Sequence, residues 1–253
     1  MLHVIVLTAL AVLVFPGAAF AQIVDLEGRY WFTDVKSSVK TKSGSVRGTD
    51  IDLEGDLGLE ARDAPEARLT FFTGPASRIR LAYTHLDFEG DRTLRQTITF
   101  EGQTFASNSR VLTDLEIHYG RIGWLWQPLT IPGTLRFGTL FEAKVFSIDA
   151  SLETRGGVPE ITESAAFSIA LPTMGLALDV TPHSKLHLFA EASGLYAGDY
   201  GHIIDAEAGL RFVPMPLVSL LAGYRVFDVR VGGGDDFAKL VTYGPFVGAS
   251  LRF

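Results

Sequence analysis

The chain of 253 residues contains no cysteine. That excludes a disulfide framework, thiolate metal sites and a cysteine nucleophile together. It suits an oxidising compartment, where a protein without thiols cannot mispair. Charge is also scarce: charged residues make up 20% of the chain and apolar residues 47%, a balance too apolar and too lightly charged for disorder. Lys/Arg-rich runs are missing, and the formal net charge is −7, so no nucleic-acid partner is expected. After residue 22 no stretch approaches about 18 consecutive apolar residues, which leaves no candidate transmembrane helix.

The longest predominantly apolar run, interrupted only by Thr8, is at the start. "VIVLTALAVLVF" covers Val4 to Phe15, Pro16-Gly17 follows, and Ala19-Phe20-Ala21 forms an A-x-A cleavage site. This reads as a signal peptide, residues 1–21, cut before Gln22, with a single domain over 22–253. The run is too short for a comfortable membrane span of about 20 residues. Its untypical feature is the absence of Lys or Arg ahead of it, where only Met1-Leu2-His3 stands.

The mature segment alternates with period two, stretch after stretch. Val24, Leu26, Tyr30 and Phe32 oppose Asp25, Glu27 and Arg29. Ile79, Leu81 and Tyr83 oppose Arg78, Arg80 and Ala82; Phe141, Ala143 and Val145 oppose Glu142 and Lys144. Ten strands are expected, near 23–35, 65–74, 78–90, 110–127, 134–152, 164–181, 185–198, 202–213, 217–231 and 238–253, with eight to twelve possible. Short connections with Pro or Gly at 74–77, 128–133, 181–185 and 213–216 alternate with connections that are mostly longer and polar. Two stretches break parity. Leu115, Ile117 and Tyr119 cannot share a face with Ile122, Trp124 and Trp126, nor Phe167, Ile169 and Leu171 with Met174, Leu176 and Leu178. Bulges near Gly120 and at Pro172 would reconcile them. The segment 97–105 could be a hairpin standing above the membrane.

One face is almost purely Leu, Val, Ala, Phe and Tyr, while the other mixes both signs of charge with small residues. A β-sandwich would put the apolar face in its core. A membrane barrel puts it against lipid and encloses the charges, with trimmed turns at one end and elaborated loops at the other. An open sheet could not span lipid, because its unpaired edge groups are too costly there. The expected fold is therefore all-β, an antiparallel up-and-down transmembrane β-barrel with short periplasmic turns and longer extracellular loops.

The signal sequence, the alternating strands and the terminal "FVGASLRF" resemble the outer-membrane β-barrel proteins of Gram-negative bacteria, over essentially the whole mature chain. "GTDIDLEGDLGLE", "TITFEGQTF" and "GDYGHIIDAEAGLRF" are similar to a group of small barrels in that family, a likeness that brings no activity with it. Tyr243, Val247, Ala249, Leu251 and Phe253 share one face of the last strand. The resemblance makes them the assembly signal that the barrel assembly machinery reads. It also implies the cell outer membrane as location, and outer-membrane lipid and lipopolysaccharide as surroundings. A monomer is expected.

Parity points Glu27, Glu66, Glu142, Glu191, Asp205 and Glu207 into the lumen together with Arg29, Arg68, Arg80, Arg136, Lys144, Arg211, Arg225 and Arg252. Charges at that density in a narrow barrel should pair with one another. The expectation is a charged, mostly plugged lumen with a structural or surface-interaction role; a narrow channel for small solutes is the alternative. A lipid-modifying enzyme ranks third. His85 with Asp87 and His202 with Asp205 lie near the outer rim, without a serine at a spacing that suggests a nucleophile. His118 beside Glu116, and His187 with Glu191 and Ser193, read as lumen residues, and His183 as a turn residue. No catalytic residue, metal ligand or cofactor is expected, and the chain is read as not an enzyme. The loop at Asp50, Asp52 and Glu54 begins like an EF-hand, but its twelfth position is Ala61 in place of the bidentate Glu.

Overall fold

The computed structural model describes residues 24–40, 42–43, 46–47, 51–100, 103–155, 162–233 and 236–253. The expected signal peptide lies outside them. Ten antiparallel strands close into a barrel: β1 (Val24–Trp31), β2 (Pro65–Phe72), β3 (Ser77–Thr93), β4 (Arg110–Ile131), β5 (Leu135–Arg155), β6 (Thr162–His183), β7 (Leu186–Tyr196), β8 (Gly201–Met215), β9 (Val218–Gly233) and β10 (Asp236–Arg252). Each pairs with its neighbour in sequence. Closure comes from β1 against β10, with Leu26 opposite Leu251. Val24 and Phe253 exchange both backbone hydrogen bonds, at 3.2 and 2.8 Å. No edge is left along this seam, as a barrel in lipid requires.

Short turns join the strands at one end. At the β4–β5 turn Gly133 takes φ +70°, which a side chain would disfavour, and Thr134 N–H donates to Ile131 O at 3.0 Å. Register shifts fall beside such turns, between Trp126 and Leu129, Val180 and His183, and Phe212 and Met215. Each interval contains or adjoins a proline, which cannot donate to a ladder.

The bulges expected near Gly120 and at Pro172 are absent. The β4 register runs unbroken from Arg110 to Trp126 against β5, and β6 runs unbroken from Thr162 to Val180. What changes is the chemistry of the faces. In the lower half, side chains such as Leu81, Tyr83, Ile122, Trp124, Leu176, Leu210 and Leu251 point outwards and are exposed. In the upper half the inward positions are apolar: Leu86, Phe88, Ile117, Tyr119, Phe146 and Phe227 are buried together, with Leu115, Ile148, Ile169, Leu171 and Val229 packed against them. Both sets keep strict alternation. The upper wall has left the lipid and follows the rule of a water-soluble sheet, apolar in and polar out.

Short accessory strands cap the upper end. Asp34–Lys40 pairs with β10, Ile51–Asp52 pairs with Asp34–Lys40, and Glu60–Asp63 pairs with β3. The segment 97–105 does form a hairpin, Ile98–Phe100 against Gln103–Phe105. Ile51, Leu57 and Leu59 are buried inside the mouth. Gly90 permits this, since a Cβ there would stand 2.6 Å from Leu57 O. The pairing of β6 with β7 stops at Met174 opposite Gly194. Among the described residues, β6 above that point pairs only with β5. Pro172 sits on this freed length, where a missing donor costs least.

Candidate functional site

The lower lumen is crossed by a net of ion pairs. Glu66 on β2 accepts from Arg121 on β4 at 2.5 Å, from Arg225 on β9 at 2.6 Å and from Arg68 at 3.0 Å. Asp205 on β8 takes Arg225 at 2.8 Å, Lys144 on β5 at 3.2 Å and the Tyr119 hydroxyl at 2.8 Å. Glu207 receives Arg29 at 2.9 Å and Arg68 at 3.1 Å, and Arg29 also meets Glu27. Arg80 on β3 grips Glu191 on β7 through both nitrogens, at 2.5 and 2.9 Å. Glu142 accepts from Ser193 at 2.7 Å and from Lys144 at 3.0 Å. These bonds join opposite walls of the barrel. Lys144 is fully buried, so its charge is held only by such partners.

Aromatic rings bound the net. Arg225 lies 4.8 Å from the Trp31 ring centre, and Tyr119 stacks on Phe146 at 4.5 Å. Below, Arg29 lies 4.6 Å from the Phe246 ring. Arg225 and Arg29 thus combine carboxylate partners with an aromatic ring, a pairing Arg supports better than Lys.

Beneath the net a cavity of about 300 Å³ opens at the short-turn end. Arg211 and Arg252 hold Glu27 and Asp25 there, at 2.9 and 3.0 Å, and Arg136 lines its wall. Above the net lies a recess of about 250 Å³, lined by Leu53, Leu115, Ile117, Phe146, Ile148, Phe167, Ile169, Leu171 and Val229 among others. Phe167 points inwards yet is 47% exposed, because among the described residues β6 pairs only with β5 at that height.

The structure therefore places all fourteen expected lumen charges on the inner wall, and brings Arg121, Asp25 and Tyr119 into the same net. Arg121 was hidden by the bulge supposed at Gly120; unbroken alternation from Trp124 puts it inside. Of the expected assembly face, Val247, Leu251 and Phe253 are exposed on the outer wall. Two histidine readings are corrected. His118 and Glu116 face outwards beside His85, since they alternate with buried Ile117 and Tyr119. His202 bonds Asp228 at 3.2 Å and not Asp205, which has the opposite parity. His187 stays inside, 3.0 Å from the Thr181 hydroxyl.

A closed antiparallel barrel with a lipid-facing apolar belt, a charged lumen and polar outer walls above the belt is an integral outer-membrane β-barrel. The chain is a protein of that class, located in the outer membrane. No protein-family profile and no curated protein matches it in sequence. Among solved structures it is similar to the outer membrane protease OmpT from Escherichia coli, with a TM-score of 0.55 and 11% identity over 91% of this chain and 97% of that one. The translocator domain of the autotransporter NalP from Neisseria meningitidis superposes with a TM-score of 0.49 at 12% identity, over 93% of this chain and 90% of that one. The expectation that the chain is not an enzyme is corrected by the first of these. A barrel that superposes over nearly the whole chain is a protease, so the architecture gives no ground for excluding catalysis.

Proposed function

We propose that this barrel is closed to solutes and acts at the cell surface through its outward-facing apolar recess. The observation that carries the reading is the ion-pair net beneath that recess. Its bonds run across the lumen between β2 and β9, β3 and β7, and β5 and β8. Opening a path would separate buried charges, at about 3–5 kcal/mol for each pair broken. Ten strands also make a far narrower barrel than the 16–18 strands of an aqueous porin. The recess above has the apolar character of a small-molecule site, and a dry apolar cavity of about 150 Å³ already accommodates benzene.

Planar bilayers test the closure. Purified barrel gives no discrete single-channel steps, whereas steady unitary currents would overturn the reading. Naphthalene tests the recess: it raises the unfolding midpoint of the barrel, and Ala150→Phe, which fills the recess from β5, removes the rise. An equal rise in both proteins would show that the probe acts elsewhere. Export belongs to the same reading. Residues 1–21 are removed as a signal peptide, so the protein recovered from membranes begins at Gln22 by mass spectrometry. Insertion then depends on the barrel assembly machinery, with lipopolysaccharide packed around the outer wall.

A further inference from the structure

On the outer wall, just above the belt residues Ile79, Leu81 and Ile122, two histidines meet a carboxylate. His85 on β3 and His118 on β4 are direct partners in the antiparallel ladder. Their rings lie 5.0 Å apart and within 8° of parallel. Glu116, the next outward position on β4, places Oε1 2.9 Å from His85 Nε2 and 3.3 Å from His118 Nε2. The three donor atoms all lie within 4.8 Å of one another. A tetrahedral zinc ion, bound at about 2.0–2.2 Å by imidazole nitrogen and carboxylate oxygen, sets its donors roughly 3.3–3.5 Å apart. Both Glu116–histidine separations are within about 0.6 Å of that spacing, and the exposed rings need only tilt about their soft outer torsions to aim at one point.

The surroundings fit the same chemistry. Tyr83 Oη lies 2.7 Å from His118 Nδ1. With Nδ1–H donating to Tyr83, the Nε2 lone pair is directed at Glu116, the arrangement by which an outer partner fixes a ligating imidazole. Asp87 stands opposite Glu116 in the ladder and adds negative charge beside the site. The three side chains are 32%, 42% and 40% exposed, so a fourth coordination position would face water. Two neutral nitrogens and one carboxylate form a borderline donor set that favours zinc and its transition-metal neighbours over calcium or magnesium, which require oxygen shells.

We propose that His85, Glu116 and His118 form a zinc-binding site on the outer wall at the membrane surface, with one coordination position open and Tyr83 orienting His118. The test uses the full mature barrel, purified without a histidine tag. Equilibrium dialysis against zinc chloride gives about one ion per barrel, and cobalt substitution gives the visible absorption of a tetrahedral ion. His85→Ala and His118→Ala each abolish both signals. Tyr83→Phe, which leaves the ligands in place, weakens zinc binding by about 10-fold or more. Glu116→Gln serves in place of either histidine variant that fails to fold, judged by strand content in circular dichroism, and it removes the cobalt absorption. Zinc binding unchanged in a folded His85→Ala/His118→Ala double variant would overturn the proposal, as would a wild-type barrel that binds none.

Discussion

At the residue scale, the lumen is a set of charges whose value depends on their partners. Glu66 serves Arg121, Arg225 and Arg68 and also accepts from the Thr84 hydroxyl at 2.7 Å. Replacing it with Ala leaves three guanidinium groups facing one another in a closed space. Removing one member of a buried network costs about 3–5 kcal/mol, so Glu66→Ala should lower the urea midpoint of refolded barrel well below that of wild type. The Arg110–Asp91 pair offers the contrast. It is equally short at 2.6 Å but stands exposed on the outer wall, where water and salt screen it. Asp91→Ala should leave the same midpoint unmoved. Equal effects from the two substitutions would mean that the lumen is wet enough to screen its charges.

At the scale of the element, one rule read along each strand carried most of the fold. Alternation in β1, β3, β5 and β8 located the strands and both their faces, because a period of two assigns every side chain once one is assigned. It misled where apolar was equated with outward. On β4, Ile117 and Tyr119 point in and Ile122 and Trp124 point out, with no register shift between them. Apolar chemistry changes face there because the strand passes from lipid into water, and a local sequence window holds no mark of that height. The same passage hid the outer-wall histidine site, since His118 and Glu116 occupy positions that read as lumen. The fate of Ile51, Leu57 and Leu59 was illegible for a different reason: their burial depends on the long-range fit of the loop against β3 at Gly90. Gly90→Val should therefore displace that loop while β3 stays paired. Proteolysis would show it as new cleavage within residues 51–59 of an otherwise intact barrel, and an unchanged digestion pattern would count against the contact.

For the whole molecule, two cores of opposite sense are stacked in one cylinder. The lower core is ionic and must be complete before its charges can leave water. The upper core is apolar and draws on strands around the barrel, from Leu86 and Phe88 of β3 through Ile117 and Tyr119 of β4 and Phe146 of β5 to Phe227 of β9. Closure links them, because β1 carries both Arg29 of the net and Trp31, whose Nε1 donates to Gly244 O on β10 at 3.1 Å. The seam ends at the reciprocal Val24–Phe253 backbone bonds, and the Phe253 ring is exposed on the outer wall. Deleting Phe253 removes both bonds and the last residue of the face through which the assembly machinery is expected to recognise β10. The truncated chain should still cross the inner membrane but accumulate in the periplasm as a protease-sensitive species without the heat-modifiable band of a closed barrel. Substituting Phe253→Ala keeps the backbone bonds and separates the two causes. If closure limits assembly, this variant inserts like wild type; if the aromatic face limits it, the variant fails like the deletion. Normal insertion of the deletion itself would show that the seam closes without its final pair.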